Sequence, residues 1–307
     1  MKRLFFALLY RAGVTRLVAW WHRRQTVFLC YHSVTGLERA IPHELKIHTP
    51  LALFNAHLDY LQRHCRVISL AEYLAARREG RRLPDRSVVL TFDDGTRNFL
   101  TVVAPVLAER RLPATAFIIT KHAAARNGHC IGREWTPADD HTDLSWPEVC
   151  ALARAPGIEI GSHSDTHPDL TQTPPEEAER ELRDSFRAVV EQTGCERPAL
   201  AYPHGKSSEE VRALAEALGY SCGLTGDLGG NGPDADLFDL RRVVIAGDDS
   251  PATFAARVSG VTWWYDRART LFRKARAPLV AVIARDARDH ESAGLVQMKK
   301  PSSESIP

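Results

Sequence analysis

The chain has no Cys-x-x-Cys pair, no apolar run long enough to cross a bilayer, no internal repeat, and almost no excess of charge of either sign. Each absence removes a class of protein. The six cysteines, Cys30, Cys65, Cys130, Cys150, Cys195 and Cys222, are scattered, which speaks against a disulfide scaffold. They read as mostly reduced and buried, as suits a cytoplasmic protein. A net charge of +2 makes no case for nucleic acid as a partner. Without low-complexity blocks, and with 44% hydrophobic and 25% charged residues, wholesale disorder is not expected. A length of 307 residues suits one α/β barrel-sized domain or two smaller ones. The early apolar run, Leu4 to Tyr10, is far too short to span a membrane. Arg11 interrupts it and no small-residue cleavage site follows, so it does not read as a secretory leader.

What is present begins with that same segment. Leu4, Leu8, Ala12, Val18 and Trp21 alternate with Arg11, Arg16, Arg23 and Arg24, the pattern of a basic amphipathic helix over residues 1–25. Two readings stand: peripheral attachment to the inner face of the membrane, or packing on the domain's own surface. From residue 26 onward, strand and helix patterns alternate. Thr26–His32, Val67–Ile68, Ser87–Phe92, Ala114–Ile119, Gly157–Ile160, Pro198–Tyr202, Tyr220–Thr225 and Leu240–Ile245 read as strands. Thr49-Pro50 opens a helix with the apolar stripe Leu53, Phe54, His57, Leu58, Leu61, and the histidine pair below is expected on one helical turn. Ser69…Glu72, Ser145…Glu148 and Thr173…Glu176 have capping-box spacing. Residues 121–143 lack periodicity and read as a loop on an active-site rim. The alternation predicts an α/β fold with a parallel sheet. Motif residues at strand ends favour a closed or nearly closed barrel over an open sheet. Residues 261–307 change character: Trp263 to Ile283 is basic and amphipathic, and Arg285 to Pro307 reads as a disordered tail.

The chemistry concentrates in two stretches. Ser87-Val-Val-Leu-Thr-Phe-Asp93-Asp94-Gly95 is a continuous apolar run ending in two carboxylates and a glycine. Successive residues of an extended chain point to opposite sides, so the two acids are expected to divide the work, one on a metal and one on protons. By itself the motif could equally be an Asx-type turn closing a strand. The second stretch, Gly161-Ser-His163-Ser164-Asp-Thr-His167-Pro, follows another predicted strand. Two imidazoles and one carboxylate form a facial set that leaves metal positions open for water and substrate. Together the two stretches tip the balance toward a metal site.

Thr-Phe-Asp-Asp-Gly followed by His-Ser-x-x-His resembles the polysaccharide deacetylases of the NodB-homology group, over residues 26–260. The resemblance implies a distorted (β/α) barrel of about seven parallel strands and removal of N-acetyl groups from a sugar or glycan. Asp94, His163 and His167 would then be the metal ligands, Asp93 the general base, and Ser164 a support for the histidines. Tyr202 and Pro203 lie in the third motif, with the Tyr202 N–H expected on the oxyanion. Two departures matter. Many relatives have Arg-Pro-Pro-Tyr-Gly where this chain has Ala201-Tyr-Pro-His-Gly205; the arginine that orients the base is missing, and Arg241 or Arg242 is expected to replace it. The late Leu-x-His motif is also missing. In the exopolysaccharide-deacetylase branch, a pair resembling Tyr31-His32 supplies the general acid instead, which assigns that role to His32. Zinc is the first choice for the ligand set, with cobalt, nickel and iron compatible. Related amide or ester hydrolysis on another substrate, and a non-catalytic glycan-binding barrel, are the alternatives.

Overall fold

The computed structural model describes residues 2–36, 47–126 and 142–265. Met1–Val261 form one compact unit and Thr262–Pro307 a second. The expected amphipathic stretch beyond Tyr265, the polar tail and most of the rim loop lie outside the described residues.

The main sheet follows the predicted alternation. Its strands are β1 (Val27–Tyr31), β4 (Arg66–Val67), β5 (Ser87–Phe92), β6 (Ala114–Ile118), β7 (Ile158–Ser162), β8 (Leu200–Ala201), β9 (Gly223–Leu224) and β10 (Arg242–Val244). The spatial order is β10-β1-β5-β6-β7-β8-β9, with β4 added beside β5, and every pairing is parallel. A further parallel bridge joins Leu224 of β9 to Leu240, just before β10. The sheet therefore returns on itself as the expected parallel barrel. Every residue of β1, β5 and β6 is buried, because helices cover the outside while side chains fill the inside. That is why these strands read as unbroken apolar runs. A small parallel pair, β2 (Ser33–Thr35) with β3 (His48–Pro50), stands apart from the barrel.

Local departures have local causes. The helix α3 (Leu51–His64) starts one residue late, with Pro50 at its N-cap position, because Thr49 is taken up by β3. Its His57 is a satisfied core residue. Burial pushes its pKa down to about 4; Nδ1 lies 3.1 Å from the Tyr31 hydroxyl and Nε2 2.8 Å from the Asp249 carbonyl. The helix α4 (Leu70–Arg78) has the predicted Ser69 cap, whose Oγ accepts from Glu72 N. Glu159 reaches across from β7 to accept from the Leu70 and Ala71 amides as well. The Ser145–Glu148 capping box is present at the start of α7 (Trp146–Ala153). The third expected box is not: Pro174 occupies the N-cap position of α8 (Pro175–Thr193), and Thr173 instead donates its hydroxyl to the Asp169 carbonyl. The start of the rim stretch is helical, as α6 (Thr120–Ala125). The N-terminal segment forms two helices, α1 (Lys2–Arg11) and α2 (Val14–Trp21), separated at Gly13 with φ 75°. Both pack on α10 (Pro251–Ser259).

Candidate active site

His32, Asp93, Asp94, His163 and His167 converge at the C-terminal ends of the barrel strands: His32 follows β1, Asp93 and Asp94 follow β5, and His163 and His167 follow β7, while Arg242, the first residue of β10, reaches Asp93 from inside the barrel. Asp94 Oδ1 lies 3.5 Å from His163 Nε2 and 3.8 Å from His167 Nε2. These three side chains offer ligand atoms within 4.8 Å of one another.

Two expectations about this geometry need correction. The two acids do not point apart. At Asp94 the chain leaves the strand with φ 70°, and Gly95 continues the turn at φ 66°, so both carboxylates approach His163; Asp93 Oδ2 is 3.9 Å from its Nε2. A side chain at Gly95 would meet Ile118 at 3.0 Å, so the turn tolerates no Cβ without displacement. The histidines, likewise, do not share a helical turn. They sit on a loop in which Ser164 has φ 64° and His167 φ 66°. The loop is closed by the Ser164 hydroxyl, which accepts from the His167 amide at 2.9 Å. Glu181 of α8 fastens it from behind, accepting from the amides of Asp165 and Thr166 and from the Thr166 hydroxyl. Of the six non-glycine residues with positive φ among the described residues, four are Asp94, Ser164, His167 and His204. Such strain persists only where the surroundings over-determine it, and it gathers at functional sites. Replacing Glu181 by Ala removes three hydrogen bonds to a carboxylate. Urea unfolding should show a loss of about 3 kcal/mol, with His167 released from register.

Protonation follows from the contacts. His163 Nδ1–H donates to the Ala201 carbonyl at 2.7 Å, which fixes the ring orientation and leaves Nε2 on the side of Asp94. Burial works against a charged His163, but the Asp93 and Asp94 carboxylates outweigh it and raise its pKa. Burial and the neighbouring His163 push His167 down to about 4, so it is a neutral imidazole in ordinary buffers. A neutral histidine, a histidine with its Nε2 on the side of Asp94 and a half-buried carboxylate are the donor chemistry of a divalent cation.

Asp93 is 4% exposed. Arg242, 2% exposed, donates to its Oδ1 at 2.7 Å and, through Nε, to the Thr225 carbonyl at 2.9 Å. Burial would raise the Asp93 pKa; the Arg242 guanidinium, with His163, outweighs it and holds the carboxyl well below the usual range. Of the two candidate arginines, Arg242 is the one the structure brings to this carboxylate. Arg241 is engaged through its backbone with the Asn231 side chain. His32 lies within the same group, its ligand atoms close to those of Cys30 and Asp93, and its buried Nδ1 has no hydrogen-bond partner among the described residues.

The oxyanion assignment to Tyr202 does not fit. Its amide donates to the Leu224 carbonyl at 3.0 Å, because the β8–β9 ladder continues one residue past the strand. Its fully buried side chain donates to the Phe238 carbonyl. Pro203 has no N–H to offer and begins the short 3-10 turn Pro203–Gly205. The residue of this motif that faces the site is His204, whose ring centroid lies 4.5 Å from that of His167. Counting back from Gly205 would have found it, since His204 occupies the place of the tyrosine in Arg-Pro-Pro-Tyr-Gly. Cys30 was also missed; its thiol donates to Asp93 Oδ2 at 3.4 Å. No sequence signal marks it.

Comparison with known proteins bears on the family and the fold. Residues 80–223 match the family described as polysaccharide deacetylase. The chain is 24% identical over 234 residues to YxkH of Bacillus subtilis, itself assigned to the polysaccharide deacetylases, covering 76% of each chain. It is 25% identical over 199 residues to the poly-beta-1,6-N-acetyl-D-glucosamine N-deacetylase of Staphylococcus epidermidis, covering 64% of this chain and 67% of that one. The deacetylase PplD of Streptococcus pyogenes has a similar fold, with a TM-score of 0.64 and 23% identity over 76% of this chain and 98% of that one.

Proposed function

From the premise that this chain carries a polysaccharide deacetylase domain, we propose that it is a cation-dependent hydrolase that removes N-acetyl groups from a polymeric N-acetylglucosamine glycan. The observation that carries the reading is the buried Asp93–Arg242 pair beside Asp94, His163 and His167. The similarity to the staphylococcal enzyme supports a β-1,6-linked exopolysaccharide as the substrate class.

Asp94, His163 and His167 would hold a divalent cation, zinc being the first choice, which supplies polarisation of the acetyl carbonyl and acidifies a water. The chain's own residues do the rest. Asp93 is ionised and is a weak base, so it suits removal of a proton only from a water that is already acidified. Arg242 keeps it ionised and fixes its orientation. His32, at the same rim, donates a proton to the departing sugar nitrogen, which otherwise leaves as a very strong base. His204 walls the side of the cluster next to His167. The Ala201 carbonyl and the Ser164 hydroxyl hold the two histidines in place.

The test is acetate release by purified, metal-loaded protein from β-1,6-linked N-acetylglucosamine oligomers, with chitooligosaccharides and an activated acetyl ester for comparison. Release from the β-1,6 oligomers is expected, and it should disappear on chelation. His32→Ala should slow amide cleavage by about 10²-fold or more while slowing ester cleavage far less, since an activated leaving group needs no proton. Equal losses on both substrates would remove His32 from the acid role. Absence of acetate from every glycan would overturn the reading.

A further inference from the structure

Seven of the nine large hydrophobic side chains exposed among the described residues lie on two adjoining helices: Leu4, Phe5, Leu8 and Tyr10 on α1, and Leu17, Trp20 and Trp21 on α2. Scattered exposed apolar residues need no explanation, but a concentration of this kind marks an interaction surface. The exposure is large, with Leu4 at 67%, Leu17 at 68% and Trp21 at 73%. The helices are nonetheless anchored. Phe6, Thr15 and Ala19 are buried, and α1 and α2 pack on each other and on α10. Their inner sides are therefore occupied, and the exposed face is what remains. Arg11 and Arg16 are exposed on the same two helices.

An independent feature lies beneath this face. A cavity of about 320 Å³ is lined by Tyr10, Arg11, Thr15, Arg16, Tyr60, His64 and Arg86, and among the described residues no carboxylate lines it. Thr15 is 1% exposed, and its hydroxyl has no hydrogen-bond partner among the described residues. Burial lowers the basicity of His64, and the positive charges of Arg86 and Arg16 lower it further. Three guanidiniums, an unsatisfied buried hydroxyl and no acid form a receptor for a phosphate-like oxyanion.

A free phosphate would explain the cavity but not the aromatic face above it. An anionic phospholipid explains both, because one molecule carries the phosphate and the surrounding bilayer supplies the apolar medium. We propose that the α1–α2 pair is an interfacial membrane anchor. It lays Leu4, Leu8, Leu17, Trp20 and Trp21 into the headgroup–acyl boundary of an anionic bilayer and receives a lipid phosphate in the Arg11–Arg16–Arg86 cavity. Tryptophan at the boundary with arginine beside it is the composition such surfaces select. The anchor lies on the bilayer without crossing it: no described helix is long and apolar enough to span a membrane.

The full chain should be sedimented with vesicles of phosphatidylglycerol and phosphatidylcholine in roughly equal parts, and with pure phosphatidylcholine. Binding to the anionic vesicles only is expected, weakening as salt rises. Tryptophan emission should shift to the blue on binding. Arg16→Gln/Arg86→Gln should lower the affinity roughly 25-fold, about fivefold for each charge. Thr15→Val should lower it by roughly fivefold through the lost phosphate contact. Trp20→Ala/Trp21→Ala should remove the blue shift and most of the binding. Circular dichroism melting identifies any variant that has merely unfolded. None of these residues belongs to the catalytic cluster, and the readout is vesicle binding, so the result is independent of which glycan is hydrolysed. Failure to sediment with phosphatidylglycerol vesicles at low salt overturns the proposal. So does unchanged affinity in the arginine double variant. Concentration-dependent dimers that Trp20→Ala/Trp21→Ala dissociates, without vesicle binding, would give the face to a second copy and overturn it equally.

Discussion

Asp93→Asn is expected to lower kcat on the glycan by about 10²–10⁴-fold, the usual reach of a positioned general base, with the cation still bound. The variant should also lose stability, for a separate reason. Arg242 is 2% exposed and its partner is the Asp93 carboxylate at 2.7 Å. A neutral amide leaves that guanidinium buried and uncompensated, a loss of about 3–5 kcal/mol when one member of a buried pair is removed. The two effects separate in a double variant. Asp93→Asn/Arg242→Met removes both charges, so urea unfolding should recover much of the lost stability while turnover stays as low as in the single variant. In the otherwise native chain, Arg242→Lys keeps a charge but not the fork that also reaches the Thr225 carbonyl, so it should retain much of the stability and less of the activity. Turnover returning along with stability in the double variant would show that Asp93 acts only through folding.

Removal of the histidines gives the second large effect. Substitution of an outer-shell partner in a metal site typically costs 10–100-fold in affinity, so loss of a direct ligand should cost roughly 10²-fold or more. His163→Ala and His167→Ala are each expected to leave purified protein with little divalent metal by elemental analysis, and the double variant with none. The fold should survive. His167 lies on a loop held by Ser164 and Glu181, not by its own ring, and the barrel core does not depend on it. Equal metal content in the wild type and the double variant would rule out the ligand assignment. Loading with zinc, cobalt, nickel and iron in turn, with acetate release as readout, would then rank the metals.

The sequence was enough to identify the strands of the barrel, because a strand buried on both faces is mostly apolar along its length, and Ser87–Phe92 is buried throughout. It was enough for the ends of two of them as well, since His32 and Asp93 stand directly after apolar runs; at His163 the strand runs two residues further than the apolar pattern, to Ser162. Helix starts were legible where the cap is local, as at Ser69 and Ser145. They were misread where a proline or a neighbouring strand took over, as at Pro50 and Pro174. Backbone conformation at the site was not legible. Nothing in His-x-x-x-His distinguishes a helical turn from a loop with two left-handed residues; that choice is made by Glu181 and Ser164, which hold the loop from outside it.

What only the tertiary structure decided is which groups meet across long sequence separations. Asp93 and Arg242 are 149 positions apart, and they touch because β10 pairs with β1, which pairs in turn with the strand that bears Asp93. Two adjacent arginines, Arg241 and Arg242, looked equivalent in sequence, but β10 lets only one of them point inward, since side chains alternate along a strand. The Tyr202 amide looked available and is not, because the β8–β9 ladder consumes it. A sequence shows which residue types a site has at its disposal. Closure of the sheet determines which side chains face each other and which backbone groups are already taken.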